Sequence, residues 1–370
     1  MKWSWKIGSF AGIGVFIHAT FLLILIWVGF LNWQQTQSLA GTLEGIFFTL
    51  ALFGCVVLHE FGHALTAKRY GIRTRDITLY PIGGVARLER MPEKPIQELW
   101  VALAGPTVNI VIAMFFFGWL VITGTWTPLS GISTASGSFI ERLMLVNISL
   151  VLFNMVPAFP MDGGRVLRSL LALRLEYTIA TQIAATIGQG MALLFGFAGF
   201  FINPFLLLIA LFVWIGASQE FSMVKIKSTL SGIPTGQAII TDFQVLSPHE
   251  TLGRAIQPIL NNMQTDVPVV KDKTVLGMLR RNDIFTGLSR YGKDVPVINV
   301  MNKEFSVVDV NEMLDVALLR LQMCNCNALP VTYHGQLVGL ITAVSIGEFL
   351  KVQSTLDQSS RSGKFEARNA

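Results

Sequence analysis

The chain has 370 residues, of which 52% are hydrophobic and only 14% are charged. A soluble domain has about 25% charged residues, because its surface needs more polar groups than this chain supplies. The abundance of apolar residues excludes a disordered chain, and the presence of only three cysteines excludes a disulfide scaffold. The composition therefore predicts an integral membrane protein with an added soluble part. The net charge of +5 does not indicate binding to nucleic acid, because in a membrane protein the positions of Lys and Arg matter more than their sum.

Six apolar segments are long enough to cross a hydrocarbon core of about 30 Å. They lie at 12–32, 43–67, 98–122, 139–160, 178–201 and 204–222. Lys and Arg occur before the first segment, between the second and third, between the fourth and fifth, and after the sixth, whereas the other connections have neither. Since Lys and Arg are enriched on the cytoplasmic side, this distribution predicts six transmembrane helices with both termini in the cytoplasm.

The segment 71–90, between the second and third apolar segments, has a different pattern. Ile77 and Leu79 alternate with polar residues, and Pro81, Gly83 and Gly84 interrupt any helix. The pattern predicts a short β-hairpin or a re-entrant loop on the cytoplasmic side. Such backbone is tolerated at membrane depth only where it lines protein or a water-filled cavity.

The composition changes after residue 222, and the region that follows repeats itself. We predict an intramembrane domain over 1–222, a linker over 223–236, a soluble region over 237–352 and a disordered tail over 353–370. Seven identities share one offset of 62 residues and need no gap: Phe243/Phe305, Val245/Val307, Leu252/Leu314, Ala255/Ala317, Pro268/Pro330, Gly277/Gly339 and Ile284/Ile346. Each unit is predicted to run strand, helix, strand, turn, strand, helix. The region resembles a tandem pair of cystathionine-beta-synthase (CBS) domains, with repeats at about 237–292 and 299–352.

The second apolar segment contains an H-E-x-x-H motif, His59-Glu60-Phe61-Gly62-His63. Residues four apart share one face of a helix, so His59 and His63 can bind one Zn²⁺ together. Glu60 then lies beside the metal, where a carboxylate can act as a general base. Ionisable residues within an apolar segment are costly without partners. The motif therefore predicts a catalytic zinc site rather than a structural pair of histidines.

A third ligand is needed, because catalytic zinc usually has three protein ligands. Asp162 is the only acidic residue between Glu141 and Glu176, and it follows the fourth apolar segment at its cytoplasmic end. The second segment ends on the same side, so the topology brings Asp162 to the depth of the two histidines. Taken alone, Asp162 is equally typical of a turn before two glycines. Beside the histidines it is the predicted third zinc ligand.

These residues carry a second resemblance. The H-E-x-x-H motif, Gly105-Pro106 with Asn109, and the run 154–165 together resemble the site-2 protease family of intramembrane zinc metalloproteases, over about residues 1–222. With the CBS pair attached, the chain resembles the six-span archaeal and bacterial branch of that family. The resemblance implies that His59, His63 and Asp162 bind one zinc ion and that Glu60 is catalytic. It also implies that the hairpin at 71–90 presents an edge to an unwound substrate segment.

Asn154 is a further candidate catalytic residue, because its amide can donate a hydrogen bond to the oxyanion that develops during peptide hydrolysis. A packing amide between helices is an equally good interpretation of this residue.

The CBS pair implies regulation, and adenine nucleotides are frequent ligands of such pairs. In ligand-binding members, a glycine is followed by a small hydroxyl residue and then by an aspartate at intervals of three. The first repeat has Asp283 but Arg280 in place of the hydroxyl residue, and the second has Thr342 but Ser345 in place of the aspartate. Each site is half a match, so a site for ATP, ADP or AMP that uses Asp283 and Thr342 is one interpretation. A homodimerisation or docking module without a ligand is the other.

The cysteines indicate no second metal site. Cys324 and Cys326 are spaced C-x-C, and no second cysteine pair completes a four-thiolate zinc site. Free thiols in a reducing compartment are the expectation.

The sequence thus predicts a polytopic helical membrane protein, with a cytoplasmic β-hairpin and a soluble α/β CBS pair, in a bacterial or archaeal cell membrane. Its predicted activity is zinc-dependent hydrolysis of a transmembrane protein substrate, which the resemblance implies is an anti-sigma factor or another membrane-tethered regulator. The alternative is a CBS-regulated transporter or channel. A transporter would have charges or broken helices along a path at the membrane midplane, whereas this chain has a metal triad.

Overall fold

The computed structural model describes residues 3–81, 83–89, 91–92, 94–126, 137–260, 264–324 and 326–366. It divides into two compact units, Met1–Lys225 and Ile226–Ala370. The first unit is mostly helical and has one small sheet, and the second alternates helices with short strands.

The elements of the first unit follow in chain order. They are β1 (Ser4–Phe10), β2 (Ile13–His18), α1 (Phe21–Thr36), α2 (Leu39–Arg69), β3 (Thr74–Tyr80), β4 (Gly83–Leu88), α3 (Pro95–Ile122), α4 (Phe139–Asn154), α5 (Asp162–Leu171), α6 (Tyr177–Phe201) and α7 (Phe205–Leu230). Two local signals fix helix starts. Pro95 stands at the first turn of α3, and Ser138 with Glu141 forms a capping box at the start of α4.

Within the described residues, four helices are long and apolar enough to cross a membrane: α2, α3, α6 and α7. Helices α1 and α4 have 16 residues each, which corresponds to about 24 Å and is shorter than a hydrocarbon core of about 30 Å. The prediction of six spanning helices is therefore confirmed for only four. The first predicted span loses its beginning because residues 13–18 form β2. The fourth loses its end because a helix cannot continue normally through Pro157 and Pro160.

The strands of the first unit form one sheet in the order β1-β2-β3-β4. The β3–β4 hairpin lies within the segment 71–90 where the sequence predicts it, and β4 is an edge strand. Strands β1 and β2 were not predicted from the sequence, and β2 pairs with β3 in parallel. The signal was present, because Trp3, Trp5 and Ile7 alternate with polar or small residues before a turn at Ala11-Gly12. Both turn residues have positive φ, 52° and 85°.

The sheet packs against α2. Ile13 and Ile77 of the sheet and Phe61 and Ala64 of the helix form one buried apolar cluster. Phe61 lies between the two histidines of the H-E-x-x-H motif, and Ala64 directly follows the second. This packing therefore fixes the hairpin beside that segment of α2.

The second unit contains two structural repeats. The first comprises α8 (Leu252–Leu260), β5 (Asp266–Lys271), β6 (Thr274–Arg280) and α9 (Arg281–Tyr291), and the second comprises β7 (Val308–Asp309), α10 (Leu314–Cys324), β8 (Ala328–Tyr333), β9 (Gln336–Thr342) and α11 (Ala343–Glu366).

The strand registers reproduce the sequence offset. Val267 pairs with Leu279 in the first repeat, and Leu329 pairs with Ile341 in the second. Both residues of the second pair lie 62 positions after those of the first. The internal repeat predicted from the sequence is therefore also a structural repeat.

Two local features of this unit differ from expectation. Cys324 and Cys326 form a disulfide, so the expectation of free thiols is wrong. Their Cα atoms lie 5.1 Å apart, within the usual range for a disulfide. Helix α11 reaches Glu366 and overlaps the tail that the sequence predicts to be disordered, since polar composition without proline does not by itself end a helix. Residues 367–370 lie outside the described residues.

Candidate active site

The three predicted metal ligands meet at one buried point. His59 and His63 lie one turn apart on α2, Asp162 is the first residue of α5, and all three side chains are buried. The Nε2 atoms of the two histidines are 3.1 Å apart, and Asp162 Oδ2 lies 3.3 Å from His59 Nε2 and 3.1 Å from His63 Nε2. Within the described residues this is the one group of three or more His, Cys, Asp or Glu side chains arranged so that it can hold a metal ion.

The donor set fits zinc. Zinc sites in proteins are tetrahedral, with bonds of about 2.0–2.1 Å to His nitrogen and Asp oxygen, which places neighbouring donor atoms about 3.3 Å apart. The three observed separations are close to that value. Two imidazoles and one carboxylate leave the fourth position open, as a catalytic zinc site requires.

Helix α3 orients one of the predicted ligands. His63 Nδ1 donates to the carbonyl oxygen of Val101 at 2.6 Å. Because Nδ1 is engaged in this way, His63 Nε2 is free to bind a metal. A backbone carbonyl is a common partner for the second nitrogen of a metal-binding histidine.

Close contact between α2 and α3 at the site depends on glycine. A Cβ atom added at Gly105 would lie 2.2 Å from His63 Nε2 and 2.6 Å from His59 Nε2. A Cβ atom at Gly62 would lie 2.7 Å from the carbonyl oxygen of Ala104. The space over the two ligand nitrogens therefore exists because residue 105 has no side chain.

Asp162 is positioned by a tight loop and by two more glycines. Residues 155–161 turn between α4 and α5, and Ala158, Phe159 and Met161 of this loop are buried. Cβ atoms at Gly163 and Gly164 would lie 2.3 Å from Val156 O and 2.7 Å from Ala158 C. The two glycines thus let the first turn of α5 pack directly on the loop backbone, with Asp162 facing the histidines.

Glu60 lies between the histidines and the hairpin. Its Oε2 atom accepts a hydrogen bond from the Ala86 N–H of β4 at 3.1 Å. A Cβ atom at Gly84 would lie 3.0 Å from Glu60 Cγ, so glycine at this position lets the edge strand approach the carboxylate.

An ion pair holds the two strands of the hairpin together. Arg87 Nε donates to Asp76 Oδ1 at 2.8 Å, and Arg87 Nη2 contacts Asp76 Oδ2. The hydrogen bond that Arg87 donates to Asp76 raises the pKa of Arg87 above its usual value.

The remaining predicted site residues are Asn154, Asp283 and Thr342. Asn154 is the half-buried last residue of α4. Asp283 and Thr342 lie in the second unit, at the starts of α9 and α11. The Arg280 N–H donates to Asp283 Oδ2 at 3.3 Å, and the Ser345 N–H donates to Thr342 Oγ1 at 3.0 Å. Both residues therefore cap a helix at the same junction of their repeats.

Sequence reasoning missed two contributors to the site, the Val101 carbonyl and the Ala86 amide. Both are backbone groups, so no residue type marks them. Gly105 was noted only through the Gly105-Pro106 resemblance, and its spatial role needed the structure.

Family models match both parts of the chain. The model for "Peptidase family M50" matches residues 47–196, and the model for "CBS domain" matches 236–290 and 297–350. The zinc metalloprotease MJ0392 of Methanocaldococcus jannaschii is 31% identical over 360 residues, which cover 96% of this chain and 98% of that protein. Stage IV sporulation protein FB of Bacillus subtilis is 28% identical over 156 residues, covering 42% of this chain and 51% of that protein. The solved site-2 protease from M. jannaschii shares 35% identity over 59% of this chain and 95% of that chain, with a TM-score of 0.43.

The relative from M. jannaschii matches over almost its full length, through both the protease and the CBS segments. The chain therefore belongs to peptidase family M50, the site-2 zinc metalloproteases, and carries a tandem pair of CBS domains.

Proposed function

We propose that the chain is an intramembrane endopeptidase that hydrolyses a peptide bond in or near a transmembrane segment of another membrane protein. The observation that carries the proposal is the convergence of His59, His63 and Asp162 at 3.1–3.3 Å, with Glu60 next to the first histidine. Membership of a metalloprotease family removes the grounds for the alternative, a CBS-regulated transporter or channel.

Each residue then has a defined role. When bound, zinc supplies a Lewis acid that polarises the scissile carbonyl and lowers the pKa of its water to about 7. Glu60 takes a proton from the attacking water and passes it to the leaving amine nitrogen as the C–N bond breaks. The Ala86 N–H holds Glu60 Oε2 in place during these transfers. We assign Asn154 the donation of a hydrogen bond to the developing oxyanion.

The substrate must be unwound locally, because a helix hides its peptide bonds in i to i−4 hydrogen bonds. Strand β4 is the edge of the sheet and lies beside Glu60. We propose that the substrate segment adds to this edge as an extended strand, so that backbone hydrogen bonds hold it whatever its side chains are. Several different transmembrane proteins can then be cut at the same site.

The proposed setting is a bacterial or archaeal cell membrane. The distribution of Lys and Arg supports six crossings with both termini in the cytoplasm, with α1 and α4 as the two short ones. The proposed substrates are membrane-tethered regulators such as anti-sigma factors, whose cleavage would constitute regulated intramembrane proteolysis.

We propose that the CBS pair regulates cleavage and takes adenine nucleotide through Asp283 and Thr342. Calorimetry of the full chain with ATP, ADP and AMP tests this. Binding heat that disappears in Asp283→Asn or in Thr342→Val supports the proposal. The absence of heat with all three nucleotides would favour a homodimerisation or docking module.

Substitution of Glu60 by Gln tests the proposed function. The purified variant should hold one zinc ion per chain and should cleave a model transmembrane substrate about 10²–10⁴-fold more slowly than wild type, the usual contribution of a general base. Glu44→Gln is the matched control, since Glu44 is a largely exposed glutamate on the same helix. Wild-type cleavage by Glu60→Gln would refute the proposed role.

A further inference from the structure

A buried arginine lies two turns beyond Asp162 on the same short helix, α5. Arg168 is 1% exposed, and its guanidinium is bound on two sides. Nε donates to Glu98 Oε1 at 2.9 Å, Nη2 contacts the same oxygen, and Nη1 donates to Glu220 Oε1 at 2.6 Å. Glu98 is fully buried, whereas Glu220 is about one-third exposed.

Two aromatic rings complete the surroundings of the guanidinium. Its central carbon lies 4.9 Å from the centre of the Phe159 ring and 5.0 Å from the centre of the Tyr177 ring. These distances are within the range of cation–π contacts. Phe159 belongs to the loop that precedes Asp162, and Tyr177 begins α6. One side chain therefore joins α3, α5, α6, α7 and the loop before the metal ligand.

The Arg168–Glu98 pair joins the two segments that shape the metal centre. Arg168 is on α5, the helix that begins with the ligand Asp162. Glu98 is on α3, one turn before Val101, whose carbonyl oxygen binds His63 Nδ1. The pair therefore connects the helix that supplies one ligand to the helix that orients another.

Arginine suits this task better than other residues. Its planar guanidinium carries five donors in a fixed arrangement, so it can bind two carboxylates and stack on two rings at once. A charge buried in this way must keep its partner, because an unpaired buried charge is strongly unfavourable. The spacing of α3 and α5 is thus restrained by a contact that has few alternative geometries.

We propose that Arg168, through Glu98, is a positioning residue of the metal centre that holds Asp162 at binding distance from His59 and His63. The inference rests on the proposed zinc site. It goes beyond that proposal, because it assigns a function to a pair that touches neither metal nor substrate. A purely structural role would affect thermal stability but would leave the zinc affinity of the folded protein unchanged.

The test measures zinc affinity by competition with a chelator, together with the melting temperature of the same metal-free samples. Three variants are used: Glu98→Asp, Arg168→Lys, and the double variant Glu98→Leu/Arg168→Met. The first two keep the charges: Glu98→Asp shortens the acidic side chain by one methylene, and Arg168→Lys has three N–H donors in place of five. The double variant removes both charges, and apolar replacement of a buried ion pair often preserves stability. Glu44→Gln serves as the control, because it removes another interhelical ion pair, that of Arg142 with Glu44 at 2.5 Å.

We expect all three variants to bind zinc about 10–100-fold more weakly than wild type, the loss typical of removing groups that orient metal ligands. Glu44→Gln should bind as wild type does. The visible spectrum of bound Co²⁺ should also shift in Glu98→Asp, because the ligand geometry changes. Wild-type zinc affinity in Glu98→Asp and in the double variant would overturn the inference, whatever their melting temperatures.

The experiment separates this inference from the proposed function. If wild-type protein bound no zinc, the metal centre itself would be refuted, and the positioning role with it. If wild type bound zinc and His63→Ala lost it, while Glu98→Asp and the double variant both bound zinc with wild-type affinity, the metal centre would stand and the positioning role of Arg168 would fall.

Discussion

His63 Nδ1 donates to the carbonyl oxygen of Val101 at 2.6 Å, although 38 residues separate the two in the sequence. This hydrogen bond decides which nitrogen of the imidazole faces Asp162 and His59. The His63 nitrogen that is left available for a metal is therefore determined by α3 and not by the helix that carries the histidine. The site thus depends on how α2, α3 and α5 pack, as well as on its three ligands.

Loss of the carboxylate ligand should remove the metal. In Asp162→Asn the side chain keeps its size but loses its negative charge, so the donor set becomes neutral. We expect zinc affinity to fall by more than the 10–100-fold that loss of an orienting group costs, and cleavage to stop. Chelator competition measures the affinity. Asp294→Asn, an exposed aspartate of the second unit, should change neither quantity, and zinc retention by Asp162→Asn would contradict the ligand assignment.

Gly105 should not tolerate a methyl group. Gly105→Ala would place Cβ 2.2 Å from His63 Nε2, so the ligands or α3 must move. We expect zinc affinity to fall by at least about tenfold, in line with other disturbances of ligand orientation.

Gly118 on the same helix provides the comparison for this substitution. A Cβ atom there would meet nothing within 4 Å. Gly118→Ala should therefore leave zinc affinity unchanged and stabilise α3 by about 0.5–1 kcal/mol. Equal zinc affinity in the two alanine variants would show that the space at Gly105 is not needed.

The hydrogen bond between β4 and Glu60 should contribute to the rate. Ala86→Pro removes the N–H that donates to Glu60 Oε2, and edge strands accept proline where the N–H is not needed for pairing. Hydrogen bonds to charged groups are worth about 1.5–3 kcal/mol, so cleavage should slow by about 10–100-fold while zinc stays bound. Ala86→Gly keeps the N–H and should stay near the wild-type rate. A slow Ala86→Gly variant would instead implicate the methyl group.

Asp266 should stabilise the second unit by joining its two repeats. Its buried carboxylate accepts hydrogen bonds from Asn327 N, Asn327 Nδ2 and Ala328 N at 3.2–3.3 Å. Asp266→Ala leaves these donors without an acceptor, so the free energy of unfolding of this unit should fall by about 1–3 kcal/mol. Denaturant titration measures the change. Asp294→Ala, at an exposed turn, should have a smaller effect, and equal losses in the two variants would exclude a specific role for Asp266.

The sequence alone predicted the candidate metal ligands and the repeats, because both leave periodic or local signals. His59 and His63 are one turn apart in an apolar helix, and the 62-residue offset recurs in the strand registers. The hairpin was predictable for the same reason, since alternation and turn residues act over a few positions. By contrast, the strands β1 and β2 were missed, because the apolar run from residue 12 suggested a spanning helix, whereas helix α1 begins only at Phe21.

The tertiary structure decided what holds the ligands in place. The Val101 carbonyl, the Ala86 amide and the absent side chain of Gly105 have no sequence signature, because their roles depend on which backbone lies opposite. Glu98 and Arg168 are 70 residues apart, and in the sequence each is simply a charged residue near the end of a helix. The sequence thus determines the chemistry available to the chain. Packing of α2, α3 and α5 determines whether the donor atoms converge. Asp162 is far from the histidines in the sequence, so its donor atom comes within about 3 Å of theirs only when these helices pack together.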